Sequence, residues 1–180
     1  MTLMDSTIAL TPAQFEVEVK NLIEKSGLGL SHFSVQRLEK LEGVDGEYEI
    51  DVTARFRALG AEFLVLIECK HYQHPVKREV VQVLFDRIRA VGGHKGMIFS
   101  TAKFQSGAIK YAKVHGIALV QITEGKAAFA SRSDDESHLL HASVPEHVGW
   151  VIDLSDDDRE RYRLIYRSEP TALFPGLWAR

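Results

Sequence analysis

Eleven consecutive residues, EYEIDVTARFR (47–57), alternate polar and apolar almost perfectly. Tyr48, Ile50, Val52, Ala54 and Phe56 fall on one side, and a period of two reads as a strand with one buried face. A second run, EFLVLIECK (62–70), begins after a short break at Ala58–Ala61 that contains Gly60. Phe63, Val65, Ile67 and Cys69 form its apolar face, and Leu64 and Leu66 make the other face partly apolar. Two such runs joined by a glycine turn predict an antiparallel hairpin, so this chain is built around a sheet.

The flanking segments define the kind of sheet. Thr11-Pro12 reads as an N-cap with proline at the first helical position. Phe15, Val19, Leu22 and Ile23 follow at helical spacing, and Gly27 ends that helix. Residues 33–41 predict a further strand. From Val76 to Val91 the period becomes helical, with Val80, Val81, Leu84 and Ile88 on one stripe and Gly92-Gly93 as the stop. GMIFST (96–101) is a short buried strand, 104–115 a helix closed by Gly116, and IALVQI (117–122) another buried strand. Strands reached through helices are expected to be parallel and central. The order describes an α/β sandwich with a mixed sheet.

Past residue 123 the character changes. A turn around Glu124-Gly125 could extend the sheet, SDDESH (133–138) reads as a linker, and Ser155 to Arg167 reads as a helix with acidic residues at its start and basic ones at its end. The apolar end TALFPGLWAR, with Leu173, Phe174, Leu177 and Trp178, must dock on this chain or build a homodimer. Residues 1–10 read as a loose leader. The expected division is a domain over 11–130 and an acidic C-terminal extension over 131–180.

Composition excludes several classes. No apolar run reaches the ~18–20 residues that span a bilayer, and the N-terminus lacks a signal-peptide pattern, so a cytoplasmic protein without a membrane partner is expected. The single cysteine, Cys69, leaves no disulfide framework and no multi-cysteine zinc site. Net charge is -3, yet residues 68–115 hold 9 basic against 3 acidic residues, a net of +6 between acidic flanks. A basic centre permits a local anion-binding face.

The hairpin also carries chemistry. With a two-residue turn at Leu59-Gly60, Val52 faces Ile67, Phe56 faces Phe63 and Ile50 faces Cys69, or the register is shifted by two residues. Asp51 then lies across from Glu68 on the opposite face, with Cβ atoms ~4.5–5.5 Å apart. Two such carboxylates on a semi-buried face need a cation or a proton. Mg²⁺ takes one or two carboxylates and otherwise water and phosphate oxygens. Lys70, two residues past Glu68, points to the same face and could hold an attacking water or stabilise charge on phosphorus. The plainer reading of the trio is a surface ion-pair cluster.

An acidic residue on one strand, Glu-x-Lys on the next, and helix–strand–helix–strand after it resemble the PD-(D/E)xK nuclease superfamily. The likeness is to its Mrr-type restriction endonuclease domain, and runs through QFEVEV (14–19), EYEIDV (47–52), LIECKHY (66–72), PVKREVVQVL (75–84), GMIFSTAKFQSGAIKYA (96–112) and HGIALVQI (115–122). The resemblance implies a restriction-endonuclease-like three-layer sandwich, a mixed sheet flanked by helices, with a short C-terminal extension. It implies that Asp51 and Glu68 bind metal and that Lys70 is the catalytic lysine. It also implies that Glu16 reaches the metal site from the first helix, with Glu18 as the neighbouring alternative, and that Gln82 lines the site. His71 either contacts phosphate or packs at the strand end. Lys77, Arg78, Ser100, Thr101 and Lys103 are the expected DNA contacts.

The function so implied is Mg²⁺-dependent endonucleolytic cleavage of DNA, with Mn²⁺ able to substitute, leaving 5′-phosphate and 3′-hydroxyl ends, in restriction, defence or repair. No separate DNA-reading unit is visible, so a specificity subunit is an expected partner. The rival from another class is a catalytically silent DNA-binding or assembly module that keeps the fold. A protein for small phosphate compounds lacks a supporting glycine-rich loop.

Overall fold

A capping box starts the first helix, α1 (Pro12–Ser26): the Thr11 hydroxyl accepts from the Gln14 N–H, and the Gln14 side chain accepts from the Thr11 N–H. The structure is a computed structural model and describes residues 8–27, 29–124, 147–153 and 161–165. After α1 come β1 (Ser31–Gly43), β2 (Gly46–Ala58), β3 (Ala61–Lys70), α2 (Arg78–Ala90), β4 (Lys95–Ser100), α3 (Ser106–His115), β5 (Ala118–Glu124), β6 (His147–Asp153) and β7 (Arg161–Ile165).

All the described strands form one sheet in the order β1-β2-β3-β4-β5-β6-β7. β3, β4 and β5 are parallel neighbours, because α2 and α3 carry the chain back between them. The other pairings are antiparallel. One face packs Val52, Phe56, Ile67 and Phe99 against Phe15, Val19 and Ile23 of α1. The other packs Ile50, Leu66, Ile98 and Leu119 against Val81 and Leu84 of α2 and Ala108 and Ala112 of α3. Helices on both faces of a mixed sheet make the three layers that the element order implies.

The hairpin register is the expected one, with Val52 opposite Ile67 and Phe56 opposite Phe63. Leu59 (φ 53°) and Gly60 (φ 79°) form the two-residue turn, both in the left-handed region that matches strand twist. The apolar face of β2 is not continuous, however. Tyr48 and Ile50 pack on the α2/α3 side, whereas Val52, Ala54 and Phe56 pack on the α1 side. Ile50 therefore does not share a core with Cys69. β1 changes side with it, from Val35 to Leu41, around Leu38 at φ 50°. Long twisted strands can serve two cores in this way, and Asp51 stands at the crossing.

Two expectations for the chain ends are corrected. Part of the segment read as a helix from Ser155 to Arg167 is a strand: residues 161–165 pair antiparallel with β6. RYRLI alternates basic and apolar residues at its start and includes the strand formers Tyr162 and Ile165, and the edge of β6 offers it a ladder. Ile8, within the supposed leader, is 3% exposed and belongs to the α1-side core. The sheet does continue past Glu124, but Glu124 pairs with His147. The SDDESH linker and the TALFPGLWAR tail lie outside the described residues. Among the described residues, no helix is long and apolar enough to cross a membrane.

Candidate active site

β2 and β3 part at one end, and the site lies there. Their paired residues run as far as Val52 and Ile67, and beyond that point the Cys69 N–H is taken by a side chain. Asp51 Oδ2 accepts it at 2.7 Å. Asp51 thus finishes the ladder where the backbone of β2 turns from one core toward the other. Burial pushes its carboxyl above the usual range, and the charges of Glu68 and Glu16 push it further, against the Cys69 N–H and Lys70.

Among the described residues Glu68 is the one charged residue that is buried, only 6% exposed. It follows Leu66 on the α2/α3 side of β3. Each of its oxygens has a cation: Lys70 Nζ donates to Oε1, and Arg87 Nη1 donates to Oε2 at 2.9 Å. A buried carboxylate requires such partners. Burial by itself would lower the Lys70 ammonium, but the charge and hydrogen bond of Glu68, with the charge of Asp51, hold it above its ordinary value. Lys70 is therefore held as a charged donor to Glu68. Burial also pushes the Cys69 thiol well up, reinforced by Asp51, Glu16 and Glu68, so it stays protonated and unreactive.

Glu16 comes from α1 and is close enough for its charge to act on both Asp51 and Cys69. Its Oε2 is held by Arg37 Nη2 of β1 at 2.6 Å. Gln82 lies on the exposed flank of α2, lining an open groove with Tyr48, Asp86, Arg87, Arg89 and Tyr111. It makes no hydrogen bond to Asp51 or Glu68, and Arg87 links its groove to Glu68. His71 packs edge-on against Phe15, ring centres 5.9 Å apart.

The five residues expected to touch DNA have different settings. Lys77 and Arg78 are exposed at the start of α2, and the Arg78 guanidinium lies 4.9 Å from the centre of the Tyr111 ring. The backbone carbonyl of Lys103 accepts from the Val76 N–H, fixing the loop before α3 beside the start of α2. Ser100 is fully buried, and its hydroxyl accepts from the Ala102 N–H. The Thr101 hydroxyl accepts from the Tyr72 N–H and donates to the Tyr72 carbonyl, tying the ends of β3 and β4 together.

Two residues of this cluster escape a reading confined to spacing. Arg87 stands three residues after Leu84 and seven after Val80, so helical arithmetic puts a cation on the buried stripe of α2. Arg37 occupies one of the inward positions of β1, between Val35 and Glu39. A charge at an inward position was the available signal in both cases.

Whether these side chains fit a metal can be judged from the donor set. Among the described residues, no group of three or more His, Cys, Asp or Glu side chains is arranged to hold an ion, which does not suit structural zinc. Asp51 and Glu68 offer oxygen only, and the charge of Glu68 is close enough to act on Asp51. That fits a hard divalent cation such as Mg²⁺, which completes its shell with water and phosphate.

Comparison with known proteins bears on the family. The family model Mrr_cat, described as restriction endonuclease, matches residues 8–125. The Type IV methyl-directed restriction enzyme EcoKMrr of Escherichia coli (strain K12) is 25% identical over 147 residues, covering 81% of this chain and 42% of its own length. The chain thus spans less than half of that relative. Among solved structures, a protein of unknown function, AF1548, is 30% identical with a TM-score of 0.49, over 59% of this chain and 55% of that one. The DNA modification-dependent restriction endonuclease AspBHI is 18% identical with a TM-score of 0.35, over 62% of this chain and 34% of that one. The family match takes in α1, the β2–β3 hairpin with Asp51, Glu68 and Lys70, and the strands behind it, and on that ground this chain belongs to the Mrr-type restriction endonuclease family.

Proposed function

We propose that this protein is an endonuclease that hydrolyses DNA backbone phosphodiesters with a divalent metal, Mg²⁺ or Mn²⁺, held by Asp51 and Glu68. The observation that carries the reading is the buried Glu68, bonded to Lys70 and electrostatically coupled to Asp51, at the open end of the hairpin. Bound there, the cation would supply Lewis-acid activation of water and of the scissile phosphate.

The chain's own groups divide the remaining work. Asp51, fixed by the Cys69 N–H, and Glu68 set the position of positive charge. Lys70, kept protonated, donates hydrogen bonds to the phosphate oxygens as negative charge builds on them. Glu16, steadied by Arg37, would orient a water near Asp51. Gln82 lines the adjoining groove, where it can meet the nucleic acid. We assign phosphate contacts to Lys77, Arg78 and Lys103, with Ser100 and Thr101 shaping the turn that presents them. A homodimer or a separate specificity subunit would bring recognition. The methyl-directed relative makes modified DNA the first substrate to try.

The test is nicking of supercoiled plasmid, methylated and unmethylated, with Mg²⁺, Mn²⁺ or EDTA. Metal-dependent nicking is expected, with a loss of at least ~100-fold in Lys70→Ala. Undiminished cleavage by a folded Lys70→Ala protein would remove Lys70 from the mechanism. Metal binding without cleavage of any DNA would favour a silent DNA-binding module.

A further inference from the structure

Glu68 is enclosed more completely than a waiting metal ligand needs to be. Lys70 bonds one oxygen and Arg87 the other, and the carboxylate side chain is 8% exposed. The two cations differ in their freedom. Lys70 is on the same strand two residues on, and its side chain is 19% exposed. Arg87 reaches across from α2, is 29% exposed, and also lines the open groove beside Tyr48, Gln82, Asp86 and Arg89. It therefore has somewhere else to go. A divalent cation that coordinates Glu68 must compete with whatever already holds its oxygens.

We infer that Arg87 is a displaceable internal counter-cation of Glu68, occupying Oε2 in the metal-free protein and yielding it, into the groove, when a divalent ion binds. The inference rests on the metal-site reading above. Two physical consequences follow. Without metal, Arg87 keeps a buried carboxylate compensated and the fold stable. With metal, its departure is part of the cost of binding, so the protein takes up its ion less tightly than Asp51 and Glu68 alone would allow. Arg87 is thus a positioning residue for Glu68 and a brake on metal occupancy. A purely structural arginine predicts the opposite sign, since losing it would loosen Glu68 and weaken the metal.

The experiment is a Mn²⁺ titration of the full chain, read by the electron paramagnetic resonance signal of free Mn²⁺. The proteins are wild type, Arg87→Leu, Arg87→Gln, Arg87→Lys and Asp51→Asn. Arg87→Leu and Arg87→Gln should bind Mn²⁺ about tenfold more tightly than wild type, the factor expected for losing one charge-assisted hydrogen bond, and Arg87→Lys should stay near wild type. In EDTA the leucine variant should melt lower than wild type, and Mn²⁺ should raise its Tm by more. If Arg87→Leu does not fold without metal, Arg87→Gln carries the comparison. Equal or weaker Mn²⁺ binding by the folded glutamine variant, with binding still abolished by Asp51→Asn, overturns the role of Arg87 alone. Mn²⁺ binding that Asp51→Asn leaves intact, or none in wild type, overturns the metal-site reading and this inference with it.

Discussion

Asp51 is held half-buried beside Glu68 and Glu16, with a single backbone N–H to steady it. Its raised carboxyl has a definite sign in the stability of the protein. The charged form is disfavoured by folding, so at neutral pH Asp51 opposes the native state, and the opposition fades as pH falls through the raised value toward the ordinary carboxyl range. Asp51→Asn keeps an acceptor for Cys69 and removes the charge. In EDTA at pH 7 it should raise Tm by about 2–4 °C, the shift that ~1 kcal/mol produces in a chain of this size, while abolishing the proposed metal-dependent cleavage. The gain should shrink as pH is lowered toward 4. A lower Tm across that range would mean that Asp51 serves the fold and not the site. The nearness of Asp51, Glu68 and Lys70 was legible in the sequence because the hairpin register runs as far as Val52 and Ile67, one residue short of the two carboxylates, although the cross-strand pairing of Asp51 with Glu68 is replaced by the bond from the Cys69 N–H to Asp51. Arg87 shows in the sequence only as a charge on the buried stripe of α2; its partner lies on another element 19 residues away, and no local rule joins them.

At the scale of elements, the β2–β3 hairpin shows what patterning can and cannot convey. Its register is legible because slipping one residue would turn every apolar side chain of β3 over. The switch of β2 from one core to the other at Asp51 is hidden, since alternation has the same period whichever core receives it. The segment 161–165 reads as helix in the sequence for a related reason: charges arranged to suit a helix dipole are also tolerated on an edge strand, and the sheet edge decides. The turn itself carries a correctable defect. Leu59 sits at φ 53° and is 99% exposed, a conformation that favours Asn or Gly. Leu59→Asn should stabilise the protein by about 0.5–1 kcal/mol without altering cleavage. Chemical denaturation would measure it, and an unchanged midpoint would show that the rest of the hairpin bears the strain without cost.

For the whole molecule, the site depends on a sheet that extends well past the strands that carry it. Lys70 pairs across to Ser100, Ser100 to Gln121, and Gln121 to Trp150 of β6, one unbroken row. Trp150 is 1% exposed and donates its indole N–H to Thr123 Oγ1 at 2.9 Å. Its neighbours Val151 and Ile152 enter the opposite cores. Strand β6 therefore closes both layers at once, and a chain ending at residue 130 would leave the outer edge of β5 unpaired and both cores open on that side. We expect Trp150→Ala to destabilise by about 3–5 kcal/mol, a large part of the 5–15 kcal/mol typical of a domain. Because Trp150 is three strands from Lys70, the variant should still cleave at temperatures where it remains folded. The 1–130 fragment should be less cooperative on heating and prone to associate through its bare edge. Thermal unfolding followed by circular dichroism, with light scattering of the fragment, tests both. A 1–130 fragment that is monomeric and melts as sharply and as high as the full chain would show that the fold is complete without β6.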